Sequence, residues 1–286
     1  MNTESLVKKI IRSVSRSYAD PGGSKYPVIC LQDVLSVSRQ FNTSSLSIEI
    51  TSLEQGIVPM RYLRNLGTIG IKGQLKLLKS CVAIAGAGGL GGIIIELLAR
   101  IGTGRLIIID NGRFTENNLN RQLLATEKLM GKSKSKAAAD RVRQVNSSVA
   151  ITAVSRKIDD GNCQKLIQDA NVVVDALDNL PSRYILAEAC QKLGIPLVHG
   201  AIAGFSGQAI TVLPGDKGLV DLYGPLNRRH ARGIEAVTGS PPTTATVIGA
   251  LEVQETVKLI TGTGKNIHGH LLMLDIAENS SDEVSF

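Results

Sequence analysis

Between residues 82 and 199 the chain alternates between two patterns of apolar and polar positions. Short apolar runs, typical of buried strands, cover residues 82–85, 105–110, 150–154, 171–175 and 196–199. Between them lie segments whose apolar residues recur at helical spacing, over residues 93–101, 133–144, 159–169 and 181–193. Strands that alternate with helices of this length predict an α/β fold with a Rossmann-like, doubly wound and mostly parallel sheet.

The two ends of the chain show other patterns. Residues 5–18 and 31–39 carry apolar positions at helical spacing, whereas residues 45–50 fit either a strand or the start of a helix. After Gly200, residues 201–212 predict antiparallel strands, residues 245–259 a helix and residues 270–275 a last strand. We therefore predict a small, mainly helical N-terminal extension, residues 1–55, and one large domain, residues 56–286.

The composition agrees with this fold and argues against several other classes of protein. Of the 286 residues, 43% are hydrophobic, which is ordinary for a packed core and argues against long intrinsic disorder. Neither an apolar stretch of about 18 residues nor a signal-peptide core is present, so we expect a cytoplasmic protein without a membrane partner. The four cysteines form no C-x-x-C pair, which predicts reduced thiols and no zinc site.

The net charge of +7 is concentrated in one part of the chain. Residues 56–135 carry 12 basic and 4 acidic side chains, so this segment holds more than the whole excess. Such a concentration suits a polyanion, either a nucleic acid or a nucleoside triphosphate. Aromatic residues, which stack on bases, make up only 3% of the chain, so we expect the triphosphate and no nucleic acid.

A glycine-rich loop follows the first strand of the alternating pattern and begins a helix. Gly86, Gly88 and Gly91 match G-x-G-x-x-G, in which backbone N–H groups approach a phosphate at a helix N-terminus. Asp110 ends the next strand, 19 residues after Gly91, at the position of a carboxylate that holds ribose hydroxyls. The alternatives are a turn that serves only helix–sheet packing, or a loop that binds a dinucleotide such as NAD.

Two basic residues go beyond what a dinucleotide needs. Arg121 follows the loop within residues 118–122, and Lys134 begins the next predicted helix region. Because the glycine loop already serves two phosphates, further cations favour a triphosphate from which pyrophosphate leaves. The alternative for each residue is a position on a solvated helix face.

Two carboxylates follow the strand predicted at residues 171–175. Asp175 and Asp178 lie where the carboxyl ends of parallel strands bind ligands. Beside a triphosphate, such a carboxylate is a natural ligand for Mg²⁺, which combines one or two carboxylates with phosphate oxygens. The alternative is a cap on the helix that begins near Pro181, a role that Asn179 or Asp178 fits equally well.

These motifs, taken together, resemble the ThiF/MoeB/HesA family, the bacterial relatives of ubiquitin-activating enzymes. The resemblance extends over about residues 57–278 and rests on residues 61–65, 86–92, 110, 117–122, 131–134 and 175–179. It implies an adenylyltransferase that uses ATP and Mg²⁺. The substrate that it implies is the C-terminal glycine carboxylate of a small ubiquitin-like or sulfur-carrier protein.

The resemblance also implies a role for individual residues. Asp110 would hold the ribose, Arg121 and Lys134 the phosphates, and Asp178 the Mg²⁺ ion. Arg64 would be supplied across a homodimer to the other subunit's ATP. Because residues 61–65 precede the first strand, we expect both of their arginines, Arg61 and Arg64, to be free to reach a neighbouring subunit. The remaining nucleotide-binding residues would be Gly86, Gly88, Gly89, Gly91, Asn118 and Gln122.

The chain departs from the family pattern at three points. It lacks the two C-x-x-C pairs that bind structural zinc in many members, and it has no cysteine in residues 233–242, where some members carry a catalytic one. Gly112 stands where a second acid is often found. Adenylation of a peptide or of a small-molecule carboxylate therefore stays open, as do, with less support, a NAD-binding oxidoreductase and a non-catalytic nucleotide-binding partner.

Overall fold

The computed structural model of the protein describes residues 3–225 and 235–285, and its N-terminal part is a small layer of helices on a short sheet. The elements are α1 (Thr3–Val14), β1 (Arg16–Ala19), β2 (Lys25–Ile29), α2 (Leu31–Gln40), α3 (Ser45–Glu54) and β3 (Val58–Pro59). β1 pairs antiparallel with β2, and β2 pairs parallel with β3. Ile11, Val34 and Ile48 from the three helices are buried together, so this part has an apolar core of its own.

The main sheet follows a 3-10 segment (Met60–Asn65) and α4 (Leu66–Leu78). Its strands are β4 (Cys81–Ala85), β5 (Arg105–Ile109), β6 (Ala150–Val154), β7 (Val172–Asp175), β8 (Leu197–Ala203), β9 (Ser206–Val212), β10 (His270–Asp275) and β11 (Ser280–Ser285). The helices are α5 (Gly89–Ile101), α6 (Lys134–Val145), α7 (Cys163–Ile167), α8 (Leu180–Leu193), α9 (Leu219–Tyr223), α10 (Glu235–Thr238) and α11 (Pro242–Thr261).

The order of the eight strands is β11-β10-β9-β8-β7-β4-β5-β6. The strands from β6 to β8 are parallel, and the pairs β8–β9, β9–β10 and β10–β11 are antiparallel. The chain proceeds from β4 to β5 and β6 on one side and then returns to place β7 on the other side of β4. This reversal creates a crevice beyond the carboxyl ends of β4 and β7, the place where open α/β sheets bind ligands.

Helices cover both faces of the sheet. Ile94 of α5, Val142 of α6 and Val253 of α11 belong to one buried cluster, whereas Cys163 of α7 and Leu186 of α8 belong to the other. Because both faces of the central strands are covered, their residues are apolar except for Arg105 at the start of β5 and Asp175 at the end of β7, and they do not alternate with polar ones. In the described ranges no helix has the length and apolar character to cross a bilayer.

The predicted architecture, a doubly wound parallel sheet with antiparallel strands after Gly200, is confirmed. Residues 45–50 belong to a helix, and the predicted helix 159–169 is restricted to Cys163–Ile167. The hairpin of β1 and β2, which the prediction of a mainly helical extension did not include, and β11 are additions. The boundary after residue 55 stays a prediction, and residues 226–234 of the cysteine-free loop lie outside the described residues.

Candidate active site

The glycine loop packs so closely on its neighbours that two of its positions exclude any side chain. Gly86 has a φ of +103°, and a Cβ atom there would lie 2.4 Å from the carbonyl oxygen of Ala176. A Cβ atom on Gly91 would lie 2.1 Å from the carbonyl oxygen of Gly86. The loop is therefore folded tightly against the segment that follows β7, at the switch point of the sheet.

The same loop exposes the N-terminus of α5 to the crevice. Gly88 is the N-cap of this 13-residue helix and has no side chain to satisfy the first N–H groups. Unpaired N–H groups and the positive end of the helix dipole attract a phosphate. The structural context that the motif requires, a strand, a turn and a helix, is present.

Asp110 and Lys134 lie together beside this loop. One carboxylate oxygen of Asp110 accepts a hydrogen bond from the Ala87 N–H at 2.8 Å, and the other accepts one from the Gly112 N–H at 2.6 Å. A Cβ atom on Gly112 would lie 3.5 Å from the side-chain carbons Cδ and Cε of Lys134, the first residue of α6. A side chain at position 112, where family members often carry an acid, would crowd Oδ1 of Asp110, which lies 3.0 Å from the same Cβ position.

Arg121 and Gln122 lie on the outer side of the glycine loop. The Cγ atom of Arg121 is 3.8 Å from the position of a Cβ atom on Gly89, and Nε2 of Gln122 is 3.8 Å from that of a Cβ atom on Gly88. The Gln122 side chain is buried, and its Oε1 has no hydrogen-bond partner among the described residues. An unpaired buried oxygen at this place is available to a donor on a bound nucleotide.

Nη1 of Arg121 donates hydrogen bonds within its own segment, to the Asn117 carbonyl oxygen and to Oδ1 of Asn120, each at 3.0 Å. Asn118 is engaged within the same segment. Its side-chain oxygen accepts a hydrogen bond from the Thr115 N–H at 3.1 Å and closes a capping box on the short 3-10 helix Glu116–Asn118. Its Nδ2 donates to Oδ1 of Asn117 at 3.1 Å. The side chain therefore shapes the loop that carries Arg121, and its predicted contact with the nucleotide stays a prediction.

The two carboxylates after β7 have different surroundings. Asp175 is fully buried and accepts hydrogen bonds from the Leu177 N–H at 3.0 Å and from Nδ1 of His199 at 2.7 Å. Burial alone would raise its pKa, but the nearby Arg183 guanidinium and the His199 and Leu177 hydrogen bonds hold the pKa of Asp175 below its usual range. Asp175 is consequently an internal anion, enclosed by protein groups.

Asp178 is exposed and does not cap α8. The cap is Asn179, whose Oδ1 accepts a hydrogen bond from the Ser182 N–H at 3.0 Å. The capping role that the sequence left open therefore belongs to Asn179, and metal binding by Asp178 stays a prediction. Oδ1 of Asp178 accepts only the side-chain N–H of Asn179, at 3.1 Å, among the hydrogen bonds of the described chain. One free carboxylate at the carboxyl edge of the sheet fits Mg²⁺, whose other ligands would be phosphate oxygens and water.

The described residues contain no group of three or more histidine, cysteine or acidic side chains that could hold a metal ion. A magnesium site in this part of the chain would therefore depend on the oxygens of a bound nucleotide in addition to Asp178. Mg²⁺ bound in this way remains with its substrate and does not need a cage of protein ligands.

Residues 61–65 form the 3-10 segment before α4, and their two arginines differ. Arg64 is exposed and forms no ion pair within the described ranges. Arg61 hydrogen-bonds Asn146 and lies 3.5 Å from the buried Oε1 of Glu49 on α3. The prediction that both arginines are free to reach a neighbour is wrong for Arg61, because the buried carboxylate of Glu49 requires its charge.

Two buried residues, Arg183 and Glu252, and the half-buried Tyr223 lie behind the site and were not predicted from the sequence. Arg183, Tyr223 and Glu252 come from three different helices and surround the pair of Asp175 and His199. Of these residues only Asp175 is in a recognised motif. A polar residue inside a helical pattern gives no sign of its burial, so the sequence had no signal for this cluster.

The position of the glycine loop in the crevice is that of a nucleotide-binding α/β protein. The sequence pattern of the ThiF family matches residues 62–286, and the chain belongs to this family. The predicted family is thus confirmed. The predicted class of enzyme is confirmed as well, because relatives of this chain are named as an adenylyltransferase and as an activating enzyme.

Among the relatives of this chain are two whose match covers most of both proteins. The SAMP-activating enzyme E1 of Haloferax volcanii is 34% identical over 244 residues, which are 85% of this chain and 88% of that protein. The sulfur carrier protein adenylyltransferase of Thermus thermophilus is 34% identical over 231 residues, 77% of this chain and 84% of that protein. The adenylyltransferase and sulfurtransferase MOCS3-1 of Zea mays is 37% identical over 222 residues, but the match covers only 47% of that longer protein.

Solved structures of low sequence identity share the fold. E. coli MccB with ATP superposes with a TM-score of 0.66 at 19% identity, over 88% of this chain and 82% of that one. PaaA superposes with a TM-score of 0.64 at 20% identity, over 84% and 81% of the two chains.

Proposed function

We propose that the protein adenylates the C-terminal carboxylate of a small ubiquitin-like or sulfur-carrier protein, with ATP and Mg²⁺. The observation that carries the proposal is the grouping of Asp110, Arg121 and Lys134 around the glycine loop at the N-terminus of α5. A dinucleotide does not need this set of cations, whereas a triphosphate does. The names of the two relatives that match most of the chain support the same activity and the same class of substrate.

The reaction transfers AMP to the partner's carboxylate. An oxygen of that carboxylate attacks the α-phosphorus of ATP, the bond from this phosphorus to the bridging oxygen breaks, and pyrophosphate leaves with the electron pair. Negative charge therefore accumulates on the leaving group. Arg121 and Lys134 would stabilise it from fixed positions, since preformed cations act most strongly where charge develops in the transition state.

Other groups would hold the nucleotide without taking part in bond exchange. The N–H groups at the start of α5 would bind a phosphate, and Asp110 would accept the ribose hydroxyls. Each oxygen of Asp110 already accepts one backbone N–H, but a carboxylate oxygen accepts two hydrogen bonds, so both remain able to bind ribose. Mg²⁺, held by Asp178, would neutralise phosphate charge.

We further propose a cytoplasmic homodimer in which Arg64 of each subunit reaches the other subunit's ATP, and no structural zinc. The exposure of Arg64 supports this role, as does its position on the rigid 3-10 segment beside the pair of Arg61 and Glu49. The predicted absence of a nucleic-acid partner and of zinc follows from the aromatic content and the cysteine spacing.

The acyl-adenylate would be the last covalent product of this enzyme. A reactive thiol must be exposed and readily ionised, but Cys81, Cys163 and Cys190 are buried. Burial, with smaller contributions from Asp159 and Asp160, raises the pKa of Cys163 to about 12. Cys30 is half-buried, and its thiol donates a hydrogen bond to a carboxylate oxygen of Asp33 at 2.9 Å. An external sulfur donor or amine would therefore receive the activated acyl group.

Nucleotide binding tests the first step directly. Thermal unfolding is followed with ATP·Mg²⁺ and with NAD at the same concentration, and a ligand present at about 100 times its Kd adds about 2.7 kcal/mol of stability. We expect stabilisation by ATP·Mg²⁺, its loss in Lys134→Met, and its retention in Lys165→Met, a control on the exposed face of α7. Stabilisation by NAD alone would contradict the proposal and restore the oxidoreductase alternative.

A further inference from the structure

A continuous chain of hydrogen bonds connects the segment after β7 with α9. Nδ1 of His199 lies 2.7 Å from Asp175, Nε2 of His199 lies 2.9 Å from the Tyr223 hydroxyl, and Nε2 of Gln208 lies 2.7 Å from the same hydroxyl. The His199 and Asp175 side chains are fully buried. The chain thus extends across three neighbouring strands, β7, β8 and β9, and ends on the last residue of α9.

The chemistry of the partners sets the direction of every bond. Nε2 of Gln208 can only donate, so the Tyr223 oxygen accepts from it and donates its own proton to Nε2 of His199. Nδ1 of His199 then carries the ring proton and donates to the Asp175 carboxylate. Burial lowers the pKa of His199, which favours this neutral tautomer, with one donor and one acceptor.

Arg183 connects this chain to the backbone that leads to Asp178. Its Nε donates to the carbonyl oxygen of Leu177 at 3.1 Å, and its Nη2 donates to the same oxygen. The N–H of Leu177 donates to Asp175 at 3.0 Å, and Nε of Arg183 lies 3.8 Å from Asp175. Both backbone polar groups of Leu177, the residue before Asp178, are therefore bound to buried side chains.

The segment that these bonds hold also forms one wall of the glycine loop. Ala176, which lies between Asp175 and Leu177, has its carbonyl oxygen 2.4 Å from the position that a Cβ atom on Gly86 would occupy. A displacement of this segment would consequently move Asp178 and press on the phosphate-binding loop at the same time. Close packing leaves no space for such a shift.

We propose that Arg183 and His199 are positioning residues that, through Leu177 and Asp175, fix the Asp178 carboxylate relative to the nucleotide phosphates. The inference rests on the proposed function, since it requires that Asp178 binds Mg²⁺. Neither residue touches the nucleotide. Removal of their hydrogen bonds should weaken the response to Mg²⁺ and leave metal-free nucleotide binding unchanged.

The experiment measures Mg²⁺ dependence apart from turnover. The ATP-induced thermal shift is titrated with Mg²⁺ to give a midpoint, and metal-free ATP binding is measured calorimetrically in EDTA. Arg183→Lys keeps the charge but cannot donate two bonds to Leu177. We expect its Mg²⁺ midpoint to rise about tenfold, as outer-shell changes do at metal sites, with metal-free binding unchanged. Lys192→Gln, on the exposed end of α8, is the control and should match the wild type.

A second pair of variants keeps the test valid should Arg183→Lys not fold. His199→Leu removes the donor to Asp175, and His199→Asn restores a donor near the Nδ1 position, so the midpoint should rise in the first and return towards the wild type in the second. Unchanged midpoints in the folded variants, or an equal loss of metal-free binding, would overturn the inference. A wild-type protein that ATP·Mg²⁺ does not stabilise would instead overturn the proposed function, and this inference with it.

Discussion

Glu252 offers a test of the buried electrostatics that depends on no assumption about the substrate. This residue lies in the middle of α11 and is fully buried, and neither carboxyl oxygen has a hydrogen-bond partner in the described part of the chain. Its carboxyl carbon is 2.5 Å from the position of a Cβ atom on Gly200, so only a glycine fits opposite. Burial, assisted by the negative charge of Asp175 and opposed by Arg183, raises the pKa of Glu252 well above 4.5.

The sign of the pH effect follows from this shift. Above pH 4.5 the unfolded chain releases the Glu252 proton while the folded protein retains it, so the folded state binds more protons. The contribution to stability is fully present below pH 4.5 and is lost as the pH rises towards the raised pKa. For one proton the loss is about 1.4 kcal/mol per pH unit within this window. Glu252→Gln has nearly the same shape and no proton to release, so its stability relative to the wild type should increase with pH.

Other buried groups titrate but are common to both proteins. The pKa values of His199 and Asp175 are lowered in the folded protein. The stability that His199 contributes is therefore lost as the pH falls below 6.5, and that of Asp175 as the pH falls below 3.8. Burial raises the pKa of Glu49, which therefore acts in the same direction as Glu252. The difference between wild type and variant removes the contributions that do not depend on residue 252.

The assay is urea unfolding of both proteins at pH 5, 6, 7 and 8, followed by circular dichroism. We expect the free-energy difference in favour of Glu252→Gln to grow by about 1.4 kcal/mol per pH unit up to the raised pKa. Glu188→Gln, at an exposed position on α8, is the matched control and should show no such growth. A difference between Glu252→Gln and the wild type that is constant across this range would refute the reasoning.

Three further predictions concern the site. Gly91→Ala places a Cβ atom 2.1 Å from the Gly86 carbonyl oxygen and should lower the ATP–pyrophosphate exchange rate by about 100-fold. The control Gly92→Ala should be tolerated, because the nearest atom to its Cβ position is 3.5 Å away. Equal exchange rates in the two variants would show that the loop is not this tightly constrained. Mixed Arg64→Ala and Lys134→Ala subunits should regain part of the exchange activity through hybrid dimers, and no recovery would place Arg64 in its own subunit's site. Replacement of all four cysteines, Cys30, Cys81, Cys163 and Cys190, by serine should leave the exchange activity nearly intact. A reductant-sensitive conjugate between enzyme and partner that disappears in Cys30→Ser would contradict this prediction.

The central strands β4, β5 and β7 could be predicted because both faces of the sheet are covered there, so nearly all of their residues are apolar. β11 gave no such signal, since all six of its residues are exposed and only Val284 is apolar. The hairpin of β1 and β2 was hidden for a similar reason, because its strands are mostly exposed and β1 contains only two apolar residues. Exposed edge strands depend on pairing with their neighbours more than on their own pattern.

The glycine loop and Asp110 could be predicted for a different reason, namely that backbone contact with a phosphate restricts which residues fit there. The residues behind the site could not. Arg183, His199 and Tyr223 lie on separate elements, and only the packing of β7, β8, α8 and α9 brings them to Asp175. Asp178 shows an intermediate case, in which the sequence offered capping and metal binding equally and the position of Asn179 assigned the cap.

ATP–pyrophosphate exchange with a carboxylate partner tests the central claim most directly. Labelled pyrophosphate is incubated with the enzyme, ATP, Mg²⁺ and a small ubiquitin-like protein that ends in Gly-Gly. The partner is supplied either with its free C-terminus or as the C-terminal amide. Adenylation of the terminal carboxylate predicts label in ATP only with the free C-terminus, and none with Lys134→Met. Equal exchange with the amidated partner, or none with the free one, would contradict the account.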